Sequence, residues 1–333
     1  MLPNSTTISI ALCTYNGERF LQEQLDSLAA QTRLPDEVVV GDDGSSDDTL
    51  SILQAWSETA PFPVRIVVNA KNLGYARNFE STLQRCQGKI VFLSDQDDIW
   101  LPDKIETMVQ RFQESDQIQA VFCNASLVDQ NRQSMNRDLI TYTRPWQYCR
   151  EPAYMGLDAR EEIAIYGCAI AVRKSLIDQI FPMPPHPKWG HDVWIYIMAR
   201  YFGEIAIEPR PLFLYRIHGQ NVSTFLYPWQ QSIWESWYYR EGAYLSKLYE
   251  EKRLELIERL QTLPDSNRKR QHLKYLFLQQ RHGANRRKIQ NRLIIFFPLA
   301  LVELLSGRYF QFPQAWKSFI YDLKEGLHNL WRR

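Results

Sequence analysis

The sequence predicts an α/β protein with a mixed, mostly parallel sheet flanked by helices and a helical region at the C-terminal end. Two observations predict it. Short apolar runs alternate with amphipathic stretches over residues 1–124. Such alternation implies a parallel-type sheet with helices on both faces. Polar loops follow the runs at their C-terminal ends, where ligands bind in such sheets.

In order, residues 8–12 (ISIAL) read as a buried strand, and residues 18–30 carry helical spacing through Phe20, Leu21, Leu25 and Leu28. Residues 37–41 (EVVVG) are a second strand, and Leu50, Leu53 and Trp56 mark the helix after it, with Ser46 or Asp47 as its cap. Residues 64–68 (VRIVV) are a third strand, followed by the loop Asn69–Gly74 and a helix from Tyr75 to Cys86. Residues 89–93 are a fourth strand. Pro102 and Asp103 open a helix through Ile105, Met108 and Phe112, and residues 119–123 are another strand. Residues 129–160 show no period and read as loop. Ile163–Val172 returns to the sheet, Phe181–Trp189 is a proline-stiffened loop, Asp192–Phe202 is helical and Pro211–Tyr215 is strand-like. From Trp229 onward the chain reads as helices.

The chain has 333 residues, 45% of them hydrophobic, and a net charge of +1. It is long enough for one large domain or for one domain with appendages, and it lacks the composition of a disordered chain. The near-zero net charge gives no nucleic-acid signature. Cys13, Cys86, Cys123, Cys149 and Cys168 form no CxxC pair, as expected of a reduced chain rather than a disulfide or zinc framework. The start carries no signal-peptide pattern, so a cytoplasmic location is expected. No GxGxxG follows the first strand and no GxxxxGK[ST] is present, which argues against dinucleotide dehydrogenases and P-loop enzymes.

The densest chemistry lies in Ser94-Asp95-Gln96-Asp97-Asp98-Ile99-Trp100, at the end of the fourth strand. Crowded carboxylates repel one another, and a hard divalent cation such as Mg²⁺ or Mn²⁺ would relieve them while holding phosphates. The same run also reads as a solvated acidic turn, with Asp98 or Asp103 capping the next helix. Thr14-Tyr15-Asn16 and Asp42-Asp43-Gly44 fall at the ends of the first two strands, so three polar loops should converge on one rim.

The stretches ISIALCTYNGERFLQEQLDSLAAQT, DEVVVGDDGSSDDT, NLGYARN, VFLSDQDDIWLPDK, GCAIAVRKS, WGHDVWI and YRIHGQNVS resemble, in order and spacing, the family-2 glycosyltransferases. The resemblance covers about residues 6–224 and implies the GT-A fold, with a catalytic domain over 1–224. That domain divides into a nucleotide-binding half (1–124) and an acceptor-binding half (125–224), and 225–333 form a helical extension. It implies inverting transfer of a sugar from a UDP- or dTDP-sugar. The SDQDDIW form is similar to members that transfer rhamnose in bacterial surface polysaccharide synthesis. The resemblance places Thr14, Tyr15 and Glu18 around the base, with Asp43 accepting the N3–H of uracil or thymine. It places Asn72, Gly74 and Arg77 on the nucleotide or its phosphates, and Asp95 on ribose. It makes Asp97 or Asp98, with His218, the ligands of a divalent cation (Mn²⁺ or Mg²⁺), and Asp192 the base that deprotonates the acceptor hydroxyl. Trp100, Trp189, His191 and Arg216 are candidates for acceptor or phosphate contacts, although Trp100 reads more readily as core or rim packing. His191 departs from the family's more usual Glu before the base. Other readings are a nucleotidyltransferase on a related sheet, which would need a glycine-rich loop after the first strand, and an inactive nucleotide-sugar-binding module.

Residues 268–292 are basic, with no Asp or Glu, and are followed by the apolar run Leu293–Leu305, interrupted by Pro298 and Glu303. That run is too short to span a bilayer. Trp316, Phe319 and Trp331 follow. Such a segment suits the surface of an anionic membrane and a lipid-linked glycan acceptor, or else packs as a helix on the catalytic domain or against a second copy in an oligomer.

Overall fold

The computed structural model of the protein describes residues 6–140, 166–184 and 190–221 and, in part, 254–281. The chain divides into two compact units, one of residues 1–144 and 162–227 and one of 145–161 and 228–333. In the second unit residues 254–262 are helical, with Leu256, Ile257 and Leu260 buried on one face.

The first unit contains β1 (Ile8–Thr14), α1 (Leu21–Ala29), β2 (Glu37–Asp42), α2 (Thr49–Ser57), β3 (Val64–Val68), α3 (Tyr75–Arg85), β4 (Ile90–Ser94), β5 (Ile99–Trp100) and α4 (Lys104–Gln113). Then come β6 (Ile118–Asp129), β7 (Ser134–Asp138), β8 (Ile170–Arg173), α5 (Lys174–Ile180), α6 (His191–Phe202) and β9 (Glu204–Ile217). The strands form one sheet in the order β3-β2-β1-β4-β8-β6-β9-β5, with β7 paired to β6. Strands β1–β4 run parallel to one another, whereas β8 is antiparallel to both β4 and β6.

Strand β1 is buried at every position, because β2 and β4 flank it and helices cover it. Leu21, Leu25 and Leu28 of α1 and Ile105, Met108, Val109 and Phe112 of α4 are the apolar stripes that the 3.6-residue period predicts. The strands of the first half therefore lie close to the positions read from the sequence.

Four differences have physical reasons. β6 runs to Asp129 rather than stopping near residue 123, because its long parallel pairing with β9 carries it on. β9 likewise starts at Glu204 rather than Pro211. β7 lies in a stretch read as loop. It is an exposed strand returning from a turn at Asp129–Arg132, so it needs no apolar positions. β5 forms inside the acidic motif itself and pairs with β9. The cap of α2 also differs, at Asp48 rather than Ser46 or Asp47, whereas α4 starts at Asp103, one of its two expected caps; neither makes a side-chain cap bond.

Cys13, Cys86, Cys123 and Cys168 are buried free thiols. Among the described residues no helix is long and apolar enough to cross a membrane. Cys149, Trp189 and the apolar and aromatic part of the C-terminal segment lie outside the described residues.

Candidate active site at the carboxyl ends of the central strands

Strands β1, β2 and β4 end side by side, so the loops after them meet. Beyond β1, the Thr14 hydroxyl donates to Asp42 Oδ2 at 2.8 Å, and Asp43 N–H donates to the Thr14 carbonyl at 2.9 Å. Tyr15 is 49% exposed, free to present its ring to a ligand. Glu18 accepts the Asp48 N–H at 2.9 Å, so the side chain expected near the base also closes the start of α2.

Asp42 and Asp43 are buried but well supplied with donors. Asp42 accepts from the Thr14 hydroxyl, the backbone N–H groups of Gly44 and Ser45, and the Ser45 hydroxyl. Asp43 accepts from Asn69 Nδ2 (2.9 Å), Leu73 N–H (2.8 Å) and Gly74 N–H (2.9 Å). Asn72 ties the same loop from the other side, through Nδ2 to the Asp43 carbonyl and Oδ1 to the Gly74 N–H. Gly74, at φ 79°, occupies the left-handed region that only glycine enters without strain, and it forms the N-cap of α3.

The acidic loop after β4 is built differently. Asp95 and Asp97 are half-buried, and Asp98 is 1% exposed with its Oδ2 lacking a hydrogen-bond partner. Burial, then Asp97 and Asp192, push the Asp95 carboxyl up to about 7. Burial, with Asp97 and Asp95, raises Asp98 well above the usual carboxylate range. Asp95, Asp98 and Cys168 bring ligand atoms within 4.8 Å of one another. Asp97 makes a separate pair: its Oδ2 lies 2.8 Å from His218 Nε2. The Gln220 N–H donates to His218 Nδ1 at 3.2 Å, which puts the ring proton on Nε2, facing Asp97. A carboxylate oxygen and an imidazole nitrogen in contact, beside a buried carboxylate oxygen without a partner, fit a divalent cation.

Asp192 lies in the first turn of α6, with Gly190 rather than Asp192 at the N-cap. Its Oδ1 accepts the N–H of Val193 at 2.8 Å. The helix N-terminus favours its anionic form. Its influence on Asp95 brings it to the same rim as the acidic loop. His191 is buried and stacked on Phe79 at 4.1 Å, with Tyr75 at 5.9 Å, and neither ring nitrogen has a partner. Burial lowers its pKa to about 3, so the ring is neutral.

Three candidate contacts are engaged by the protein itself. Arg216 is 1% exposed, and its guanidinium is occupied by the Asp97 carbonyl (2.9 Å), the Gln130 carbonyl (3.2 Å) and Glu23 (2.8 Å). It braces the acidic loop from beneath rather than meeting a phosphate. Trp100 is 2% exposed and packs on Phe92 at 5.8 Å, so it belongs to the core rather than to an acceptor surface. Arg77 donates to Glu80 and to the carbonyls of Met183 and Pro184, which commits the guanidinium expected at the phosphates.

Sequence reasoning missed Lys104, which is fully buried. Its Nζ donates to the Cys168 carbonyl at 2.7 Å and lies 3.9 Å from the Trp100 ring and 4.2 Å from that of Phe213. Burial lowers its pKa, while Cys123, Cys168, Asp98 and Asp95 act in the opposite sense. A signal was available: Lys104, Met108 and Phe112 share the four-residue spacing of the buried face of α4. Gln24 was missed as well. Oriented to satisfy both ends of its amide, it donates to the Asp98 carbonyl (2.7 Å) and accepts from Trp100 Nε1 (3.2 Å).

This sheet and rim have known counterparts. The profile of glycosyl transferase family 2 matches residues 9–181, and the chain belongs to that family. An uncharacterized glycosyltransferase of Nostoc sp. is 29% identical over 227 residues, covering 64% of this chain and 66% of that protein. A dTDP-rhamnosyl transferase, RfbG of Shigella flexneri, is 26% identical over 225 residues, covering 63% of this chain and 72% of that one. The chain thus spans just under two thirds of the Nostoc relative's length.

Among solved structures, S. aureus TarS (residues 1–349) superposes with a TM-score of 0.56 at 17% identity, covering 97% of this chain and 88% of that one. A mannosyltransferase from Pyrobaculum calidifontis, in complex with GDP-Man and Mn²⁺, gives 0.50 at 16% identity, covering 98% and 87%. The architecture is the GT-A fold.

Proposed function

We propose that this protein is an inverting glycosyltransferase that moves a sugar from a UDP- or dTDP-sugar to a hydroxyl of a glycan or lipid-linked acceptor. The observation that carries the reading is the meeting of the Thr14–Tyr15 loop, Asp43, Asp95–Asp98, His218 and Asp192 at one end of the sheet. Structures of TarS hold UDP and UDP-GlcNAc, and the Shigella relative is a dTDP-rhamnosyl transferase; both kinds of donor carry the base that Asp43 would select. A dTDP-linked deoxyhexose such as dTDP-L-rhamnose is the donor to test first.

In this reading Tyr15 stacks on the base and Thr14 lines its edge. Asp43 accepts the base N3–H, a contact that cytosine, unprotonated at N3, cannot make. Glu18 and Asn72 shape the base pocket, Gly74 lets the backbone approach the nucleotide, and Asp95 meets the ribose. Asp97 and His218, with Asp98, would hold the cation. When bound, Mn²⁺ or Mg²⁺ supplies Lewis-acid stabilisation of the charge that grows on the leaving diphosphate. Asp192 takes the proton of the acceptor hydroxyl as that oxygen attacks the anomeric carbon from the face opposite the diphosphate, so the configuration inverts.

The acceptor is lipid-linked in this reading because the basic and aromatic C-terminal sequence suits an anionic membrane surface. Flotation of the full chain, and of a chain ending near Phe225, on anionic liposomes tests that part. Recovery of both with the unbound protein would remove it.

The decisive experiment is a panel of UDP-, dTDP- and GDP-sugars with Mn²⁺ or Mg²⁺, read as ligand-induced melting shifts and then as metal-dependent donor hydrolysis. Shifts confined to uracil and thymine nucleotides support the reading. Equal shifts with GDP-sugars would overturn the role given to Asp43.

A further inference from the structure

The middle residue of the acidic motif carries no charge and has no place in the chemistry above, yet it makes a contact that neither loop makes otherwise. The backbone pairing of β1 with β4 ends at Leu12 and Ser94. Beyond that point the strands part, and the loops that hold Tyr15 and Asp95–Asp98 begin. Gln96 bridges the gap. Its Oε1 accepts the Tyr15 N–H at 2.8 Å, and its Nε2 donates to the Tyr15 carbonyl at 3.0 Å. A carboxamide has the donor and acceptor of a peptide group. The side chain therefore closes a pair of hydrogen bonds on the Tyr15 backbone and ties the two loops together past the end of the strand pairing.

The first loop is shaped to receive it. Gly17 is buried against the same amide, and a Cβ at that position would lie 2.3 Å from Gln96 Oε1 and 2.5 Å from its Cδ. Across the loop, the Asn16 N–H donates to the Ser45 hydroxyl, the Gly17 N–H to the Thr49 hydroxyl, and the Glu18 N–H to Asp47. The Tyr15–Glu18 segment is thus held by the start of α2 on one side and by Gln96 on the other. Asp95 or Asp97 could not do the same from that position, since an ionised carboxylate has no hydrogen for the Tyr15 carbonyl.

We infer that Gln96 is a positioning residue for the nucleobase: it fixes the Tyr15 backbone, and Gly17 is required because Gln96 occupies the space beside it. This rests on the function proposed above, with Tyr15 at the base. Gln96 touches neither the cation nor the phosphates in this role, so its loss should weaken recognition of the nucleoside and spare recognition of the diphosphate.

The test uses the full chain and three probes, UDP, dTDP and inorganic pyrophosphate, each with Mn²⁺, titrated calorimetrically. Gln96→Ala should weaken UDP and dTDP about tenfold, the loss expected of two hydrogen bonds. Pyrophosphate should change by less than about twofold, within the error of such comparisons. Gly17→Ala should weaken the nucleotides similarly by displacing the amide. In the Gln96→Ala background the Gly17→Ala change should add little, since the obstructing amide is gone.

Unchanged nucleotide affinity in Gln96→Ala, pyrophosphate weakening in step with UDP, or additive losses in the double variant would each overturn the inference. If Gly17→Ala fails to fold, the comparison of UDP with pyrophosphate in Gln96→Ala decides alone. A wild-type chain that binds pyrophosphate but neither nucleotide would instead overturn the proposed function, a result distinct from any of these.

Discussion

Asp42–Asp43 at the end of β2 and Asp95–Asp98 at the end of β4 are both acidic turns after buried parallel strands, but their carboxylates have opposite surroundings. The β2 pair is surrounded by donors, three of them reaching Asp43 alone. The β4 group is left short. Asp98 Oδ2 has no partner, and Asp95 holds its proton up to about 7. A carboxylate rich in donors organises the backbone around it, whereas carboxylates crowded together without donors favour whatever cation can reach them. Lys104 answers part of that demand from within. Its ammonium is buried at the first turn of α4, where the helix dipole opposes it, and the neighbouring acidic groups and aromatic rings offset that burden.

The largest expected effect lies at the carboxylate facing the poorly supplied loop. Asp192→Asn should lower transfer by about 10²–10⁴-fold, the usual span of general base catalysis, with UDP affinity within about twofold of wild type. Steady-state turnover and calorimetric UDP binding measure the two quantities. Near-normal turnover would remove Asp192 from the base role.

Next come the two loops themselves. Asp97→Asn and His218→Ala should each raise the Mn²⁺ concentration needed for half-maximal activity by about tenfold or more, as expected when a metal ligand is lost. Their melting temperatures should change little. Asp43→Asn should do the reverse. It converts an acceptor of two backbone N–H groups into an amide that can match only part of that set, at a loss of about 1–3 kcal/mol in chemical denaturation. Its Mn²⁺ dependence should stay the same. If Asp43→Asn shifted the metal titration and Asp97→Asn lowered stability, the contrast between the loops would be wrong.

A smaller effect follows from protons. With its carboxyl at about 7, Asp95 is largely protonated at pH 5.5 and largely ionised at pH 8. Mn²⁺ should therefore bind more tightly at pH 8, and Asp95→Asn should flatten that dependence in a calorimetric titration.

The smallest concerns His191. Its pKa in the folded chain, about 3, lies below the unfolded value of 6.5, so the unfolded state binds more protons between those pH values. The associated stability is present above pH 6.5 and is lost as pH falls toward 3. His191→Phe keeps a ring against Phe79 but cannot titrate, so its melting temperature should fall less between pH 7 and pH 4. An equal fall in both proteins would mean that the wild-type ring is not buried in its neutral form.

Much of this was legible in the chain. Strands β1, β2 and β4 and the helices between them announce themselves through apolar runs and periodic stripes, because each buries an apolar surface. The loops at the strand ends were legible for the same reason, since a parallel sheet brings them to one edge. β7 was not, because an exposed edge strand such as Ser134–Asp138 has no apolar signature. Arg77 and Arg216 looked like ligand contacts because their charge is visible in sequence, while the carbonyls and the Glu23 carboxylate that engage them come from distant segments.

By itself, then, the sequence determined the family, the alternation of strand and helix, and the set of acidic residues available for chemistry. These are local properties of composition and spacing. The tertiary structure decided which of those residues have spare capacity. Asp43 takes three donors from the loop that folds over it and keeps one acceptor site, Asp97 meets His218 from the far end of β9, and Lys104 turns inward to the acidic cluster. Hydrogen-bond supply and burial depend on partners far away along the chain, and only the fold brings those partners into place.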